Sequence, residues 1–186
     1  MINQILELLI STLVEIYTMI ILLRLMMQIA RADFYNPISQ FVVKATDPLL
    51  KPLRRFVPGF WGIDFPSLLL ALLVQILGFA LLMLLKGSIV ANPLAYLIFG
   101  LFGVCNVALQ LAFFAILIVI VVSWVAPQSY NPAVMLLRQV TEPIMAPFRK
   151  ILPPMGGLDF SPMLAMFVIH VLRTIVLPHM VMALGV

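Results

Sequence analysis

The sequence predicts an all-α integral membrane protein, with four transmembrane helices arranged as two tandem parallel repeats, each built as helix, amphipathic interfacial hairpin, helix. Three observations predict it. Apolar residues make up 64% of the 186 and charged residues only 10%, with a mean hydropathy of +1.19, against roughly half apolar and a quarter charged in soluble domains. Four segments are apolar over the length needed to cross a hydrocarbon core about 30 Å thick, which takes about 20 residues. The stretch beginning Tyr35-Asn36-Pro37 recurs at Tyr130-Asn131-Pro132, at an offset of 95 that holds without a gap.

The first span is expected over about 5–30. Ala30-Arg31-Ala32 imitates a signal-peptidase site after an apolar run. Cleavage is not expected, because the first 23 residues hold no Lys or Arg and Glu7 and Glu15 fall where a signal's basic and apolar regions would lie. The other spans are expected over about 67–85, 107–125 and 162–181. The run 94–104 is too short to cross alone, and reads as interfacial, re-entrant, or an N-terminal extension of the third span. Arg31, Lys44, Lys51, Arg54 and Arg55 lie in the first hairpin and Arg138, Arg149 and Lys150 in the second, against Lys86 alone on the other side. The positive-inside rule then puts both hairpins in the cytoplasm and both termini outside.

The repeat divides the chain at about residue 90, into 1–90 and 91–186. Thr46, Asp47, Pro48, Pro52, Arg54 and Pro58 align with Thr141, Glu142, Pro143, Pro147, Arg149 and Pro153; Gly62, Asp64 and Phe65 align with Gly157, Asp159 and Phe160. Shared composition would not bring proline, glycine and acid into one register, so the pattern is a duplication. An even number of spans per copy keeps both copies in one orientation, related by an axis along the membrane normal.

Within each hairpin, Asn36 and Asn131 are placed to cap helices opening at Pro37 and Pro132, where a missing N–H costs nothing. Ile38, Phe41, Val42, Ala45 and Leu49 form an apolar stripe with Ser39, Gln40 and Lys44 mostly opposite, an interfacial amphipathic helix. Pro48 and Pro143 are expected to break and restart the chain, and Pro52 and Pro147 to kink it. Lys44, Lys51, Arg54, Arg55, Arg138, Arg149 and Lys150 are expected at anionic headgroups, at about 1 kcal/mol each. A pI near 9.6 would also suit nucleic acid, but the sequence lacks the dense basic face with stacking aromatics that such binding needs, so no nucleic acid is expected.

Together these elements resemble the YggT family of small bacterial inner-membrane proteins, with YlmG-type relatives in Gram-positive bacteria and plastids. The resemblance covers both repeats. It implies a non-enzymatic protein linked with hyperosmotic tolerance and potassium uptake, or, through relatives, with haem-protein maturation or cell division. It supplies no catalytic residue.

Polar and ionisable groups inside spans are functional candidates by default. They are Glu15, Arg24, Gln75, Gln110, His170 and Arg173, and the offset pairs Glu15 with Gln110 and Gln75 with His170. Two readings stay open. In one, Glu15, Gln110, His170 and Arg173 line a polar interior that meets an ion or coupling proton; in the other, Glu15 and Arg173 form an interhelical ion pair with glutamines as glue. Arg24, nearer the cytoplasmic end, is expected to snorkel to headgroups. Asp64 and Asp159 read as helix caps, Gly156-Gly157 as a turn, Cys105 as a small buried hydrophobe and the 12 methionines as packing filler. No catalytic motif occurs and no cofactor or metal is expected, a lone histidine being weak evidence for haem or zinc. The expected partners are a bilayer with anionic headgroups and a membrane-protein partner or a second copy.

Overall fold

The computed structural model describes residues 1–59, 64–88, 90–153 and 159–184. Four helices in it are long and apolar enough to span a membrane: α1 (Ile2–Ile29), α3 (Phe65–Leu85), α4 (Pro93–Val125) and the segment Ser161–Ala183. This last is not one regular helix. It runs as α6 (Ser161–Val171), widens through a π turn (Leu172–Val176), and continues as α7 (Leu177–Ala183). Pro178 lacks the N–H that would close the regular bond to Thr174, and at Leu177 the N–H reaches back to the Leu172 carbonyl instead. Two shorter helices, α2 (Pro37–Phe56) and α5 (Pro132–Ile151), occupy the hairpins and pack on each other, so both basic hairpins share one end of the bundle. There is no strand among the described residues.

The run 94–104 is resolved as the N-terminal extension of the third span, because α4 is continuous from Pro93 and capped by the Asn92 side chain on the Leu94 N–H. The prolines of the hairpins correct the sequence expectation. Each hairpin helix is unbroken, with Pro48 and Pro52 inside α2 and Pro143 and Pro147 inside α5. Its start is as expected, since Asn36 and Asn131 accept from the N–H groups of Ile38 and Ala133 with Pro37 and Pro132 at the first position.

Turns out of two spans use one device. After α3, Gly87 takes φ 68°, the Gly87 N–H bonds Leu84 O and the Ser88 N–H bonds Met83 O, a Schellman close. After α1 the same bonds run from Arg31 to Gln28 and from Ala32 to Met27, with Arg31 at φ 50°. A left-handed residue with a Cβ costs roughly 1–2 kcal/mol. Burial of Ala32 against Met27 in the apolar cluster with Val42, Leu136 and Val140 holds it there.

The first hairpin helix buries a mixed face. Val42 and Leu50 are buried, and so are Ser39 and Thr46, while Phe41, Leu49 and Phe56 are exposed. Part of the apolar stripe predicted from the sequence is therefore exposed, and Ser39, assigned to the polar face, is buried with its hydroxyl on Asp33 O at 2.8 Å. The repeats build matching cores: Ile21, Leu50 and Leu70 in one cluster correspond to Ile116, Met145 and Ala165 in another. Between repeats the packing is not a closed two-fold, because α3 packs on α4 whereas α6 does not pack on α1. Glycines allow the α3 to α4 approach. A Cβ on Gly100 would meet Ile76 Cγ1 at 2.6 Å, and one on Gly103 would strike the Gln75 amide. Gly100→Val should therefore lower stability by roughly 1–3 kcal/mol, the overpacking range, read as an earlier thermal unfolding midpoint in detergent; an unchanged midpoint would refute this account of the helix contact.

Candidate functional site

Two polar stations lie along the spans. The first is at the hairpin end. Arg24 is the fifth residue back from Ile29, about 8 Å inside the end of α1 at 1.5 Å per residue, and it is 6% exposed. Its Nη1 reaches Thr46 Oγ1 at 2.6 Å, Asp47 Oδ1 at 2.8 Å and Val43 O at 3.3 Å. The snorkelling expected from the sequence does not occur. Packing of α2 across the end of α1 provides a half-buried carboxylate and a carbonyl, and these replace headgroups as the partners of the guanidinium. The Tyr17 hydroxyl adds a bond to Ala45 O at 3.4 Å, so donors from α1 meet α2 just where Pro48 interrupts its ladder. Bonds to Arg24 first, and then to Lys51, hold the Asp47 carboxyl below the ordinary carboxylate range against the opposing pull of burial.

Further along the hairpin, Arg54 pairs with Asp64 at 2.6 Å. In the second repeat Arg149 bridges Glu142 at 2.7 Å and Asp159 at 3.2 Å, and its bond to Glu142 raises its already high pKa further. Burial pushes the Asp159 carboxyl up, but bonds from the Ser161 hydroxyl and N–H and from Arg149 outweigh it, leaving it below the ordinary range. Three of the residues expected at headgroups are thus in ion pairs: Arg54 and Arg149 as above, and Lys51 on Asp47 at 3.1 Å. Arg138 donates to Pro127 O. Lys44, Arg55 and Lys150 are exposed with no ion pair among the described residues. Asp64 stands at the N-cap of α3, yet its side chain holds Arg54 and the Ser67 hydroxyl rather than a backbone N–H; Asp159 does accept the Ser161 N–H. Gly156-Gly157 and Gly62 lie outside the described residues.

The second station is near mid-span. Arg173, in the π turn, donates Nε to Asn106 Oδ1 at 2.9 Å and Nη2 to Gln110 Oε1 at 2.6 Å, both on α4. Glu15 lies elsewhere, exposed on α1 in a cleft of about 180 Å³ that Ser11, Gln75, Gly78, Phe79 and Phe99 help to line. Of the two sequence readings, only the glutamines as interhelical hydrogen-bonding glue are found, Gln110 on Arg173 and Gln75 on Thr18. Glu15 and Arg173 form no ion pair and no common interior, because neither α6 nor the π turn packs on α1. His170 is exposed, outside both stations, and Gln75 donates Nε2 to Thr18 Oγ1 at 3.0 Å. Cys105 is exposed and lines an apolar cleft with Leu109 and Leu172, correcting the expectation of burial. A buried position was expected from apolarity alone, which cannot separate a core face from a lipid face. Among the described residues no group of three or more His, Cys, Asp or Glu could hold a metal ion. Asn106 and Ser11 were missed in the sequence. The offset of 95 that pairs them, and pairs Arg173 with Gly78, was the available signal.

The repeated helix, hairpin and helix with its paired Arg and Asp is matched by the CCB3/YggT family model twice, over residues 3–85 and 98–180. The chain belongs to this family. Among similar proteins, one from Pseudomonas aeruginosa is 44% identical over 94% of this chain and 89% of its own. YggT of Escherichia coli K12 is 42% identical over 89% of this chain and 85% of its own, and a Vibrio alginolyticus protein is 44% identical over 82% and 83%. No solved structure matches.

Arg24→Ala should destabilise this YggT-family fold by roughly 1–3 kcal/mol, the range for leaving hydrogen-bond partners unsatisfied, and Arg24→Lys should recover only part because the fork is lost. The acid side follows from the sign of the shifts. Carboxyls held low when folded stabilise above the unfolded value of about 3.9, and that contribution fades as pH falls through the lower folded value. Thermal melts in detergent from neutral pH to below 4 should show this loss, and Asp47→Asn should flatten it; an unflattened curve would disprove the assignment.

Proposed function

We propose that this YggT-family protein is a non-enzymatic, multi-pass protein of the bacterial inner membrane that supports growth under hyperosmotic stress by aiding ion uptake, potassium being the ion the family resemblance implies. In this reading both basic hairpins are cytoplasmic and both termini periplasmic, with Lys44, Arg55 and Lys150 at the anionic leaflet. The observation that carries it is Glu15, an acid near the middle of a span, exposed in a cleft it shares with Ser11 and Gln75 and without an ion pair among the described residues. An intramembrane acid kept only as structural glue would be paired or hydrogen-bonded. Two hairpins of about twenty helical residues each leave no separate soluble domain between the spans for catalysis.

A second reading, a membrane assembly or scaffold factor for a haem-protein maturation or division complex, draws on the exposed Phe41 and Phe56 beside those unpaired basic residues on one end of the bundle. Cells lacking the protein, complemented with wild type or Glu15→Gln and grown at high osmolarity, separate the two. The ion reading expects Glu15→Gln to fail while reaching normal levels in the membrane, with lower rubidium uptake as the second readout. Full complementation by Glu15→Gln would sink it, and crosslinks from the hairpins to one defined partner complex would then favour the scaffold.

A further inference from the structure

The two stations become informative when the repeats are laid on each other. At the offset of 95, Ser11, Glu15 and Gly78 of the first repeat correspond to Asn106, Gln110 and Arg173 of the second. In the second repeat those three positions form one closed contact, the guanidinium of Arg173 bonding the amide oxygens of Asn106 and Gln110. In the first repeat the same three positions line one cleft of about 180 Å³. The side chain that supplies the cation is gone, since Gly78 has none; Val14 packs within 2.8 Å of where a Cβ on Gly78 would stand, and the cleft lies beside that contact. The acceptor has changed the opposite way, from a neutral amide to a carboxylate. One copy carries its own cation on a weak acceptor, and the other has a strong acceptor and no cation.

We propose that the Glu15 cleft binds a small monovalent cation of the alkali class, beside residues equivalent to those that hold a tethered guanidinium in the second repeat. The donors suit this ligand. Glu15 offers two carboxylate oxygens, and the Ser11 hydroxyl, whose proton goes to Leu8 O at 3.0 Å, offers its lone pairs. Gln75 also lines the cleft, with its amide nitrogen on Thr18 and its carbonyl oxygen packed toward Gly103. Carboxylate and hydroxyl are both oxygen ligands, which favour hard alkali and alkaline-earth ions over soft metals, and the single carboxylate balances one positive charge rather than two. Phe79 and Phe99, stacked with centroids 4.5 Å apart, wall the cleft on its α3 and α4 side. The proposal deepens the ion reading above and rests on its view of Glu15 as more than glue.

The test uses the whole purified protein in lipid nanodiscs and an apolar carbodiimide, which modifies intramembrane carboxyls in their protonated form. Modification is followed by the mass of the peptide carrying Glu15, in potassium, sodium or choline chloride at equal ionic strength. Choline should permit modification, and potassium or sodium should slow it about tenfold once present at about ten times the dissociation constant. Equal modification in all three salts, or none in any, would overturn the proposal. The second repeat provides its own control. Gln110→Glu alone should resist modification because Arg173 holds the new carboxylate, whereas Gln110→Glu with Arg173→Gly should become modified and be protected by the same cations. Equal reactivity of those two variants would show that Arg173 is no built-in occupant, and would also overturn it. Protection is read at equilibrium, so a protein that shows it yet moves no rubidium keeps the site and loses only the uptake role.

Discussion

The bundle depends on one constraint, that a cation inside a span must be answered from within the protein. Arg24 meets it at the junction of α1 and α2, where its guanidinium is buried against Thr46, Asp47 and a carbonyl of α2. A charge left alone at that depth would cost several kcal/mol. The alternative to the pair is therefore a different packing of α2, not merely a looser one. The buried face of α2 carries Ser39 and Thr46, whose hydroxyls are satisfied locally. With α2 fixed across the end of the spans, Asp64 lies within reach of Arg54, and the start of α3 follows.

The second repeat solves the same problem with different residues. Val119 stands where Arg24 would be by the offset, and Arg149 instead holds both Glu142 and Asp159. Near mid-span the roles reverse, with Arg173 present in the second copy and Gly78 in the first. Each copy thus carries one internal cation at a station the other leaves without one. Duplication freed the copies to divide the charges while keeping matching apolar clusters, and it supplies an internal comparison of equivalent positions.

The hairpin ends join the copies. The Asn36 amide donates to Pro132 O at 2.7 Å, and Gln139 accepts the Asp33 N–H, so the cap of one hairpin helix is also a contact with the other. This end is polar and cross-linked, while α3 and α4 approach through small residues further along the spans. Because α6 has no matching contact with α1, the outer half of α1 stays open, and Glu15 with it.

What the sequence by itself determined is everything local or periodic. Span length, the basic hairpins, the asparagine caps before Pro37 and Pro132 and the duplication are each set by composition, spacing or a nearest turn, and each is legible in one dimension. Tertiary structure decided which charge meets which. Arg24 was read toward lipid and found Asp47, and Arg173 was offered Glu15 and bonded Asn106 and Gln110. Pro48 was read as a break and sits inside a continuous helix. The physical reason is common to all three: hydrophobicity drives a span into the membrane whichever way it is turned, so rotation and neighbours are fixed only by packing and polar satisfaction between helices far apart in the chain.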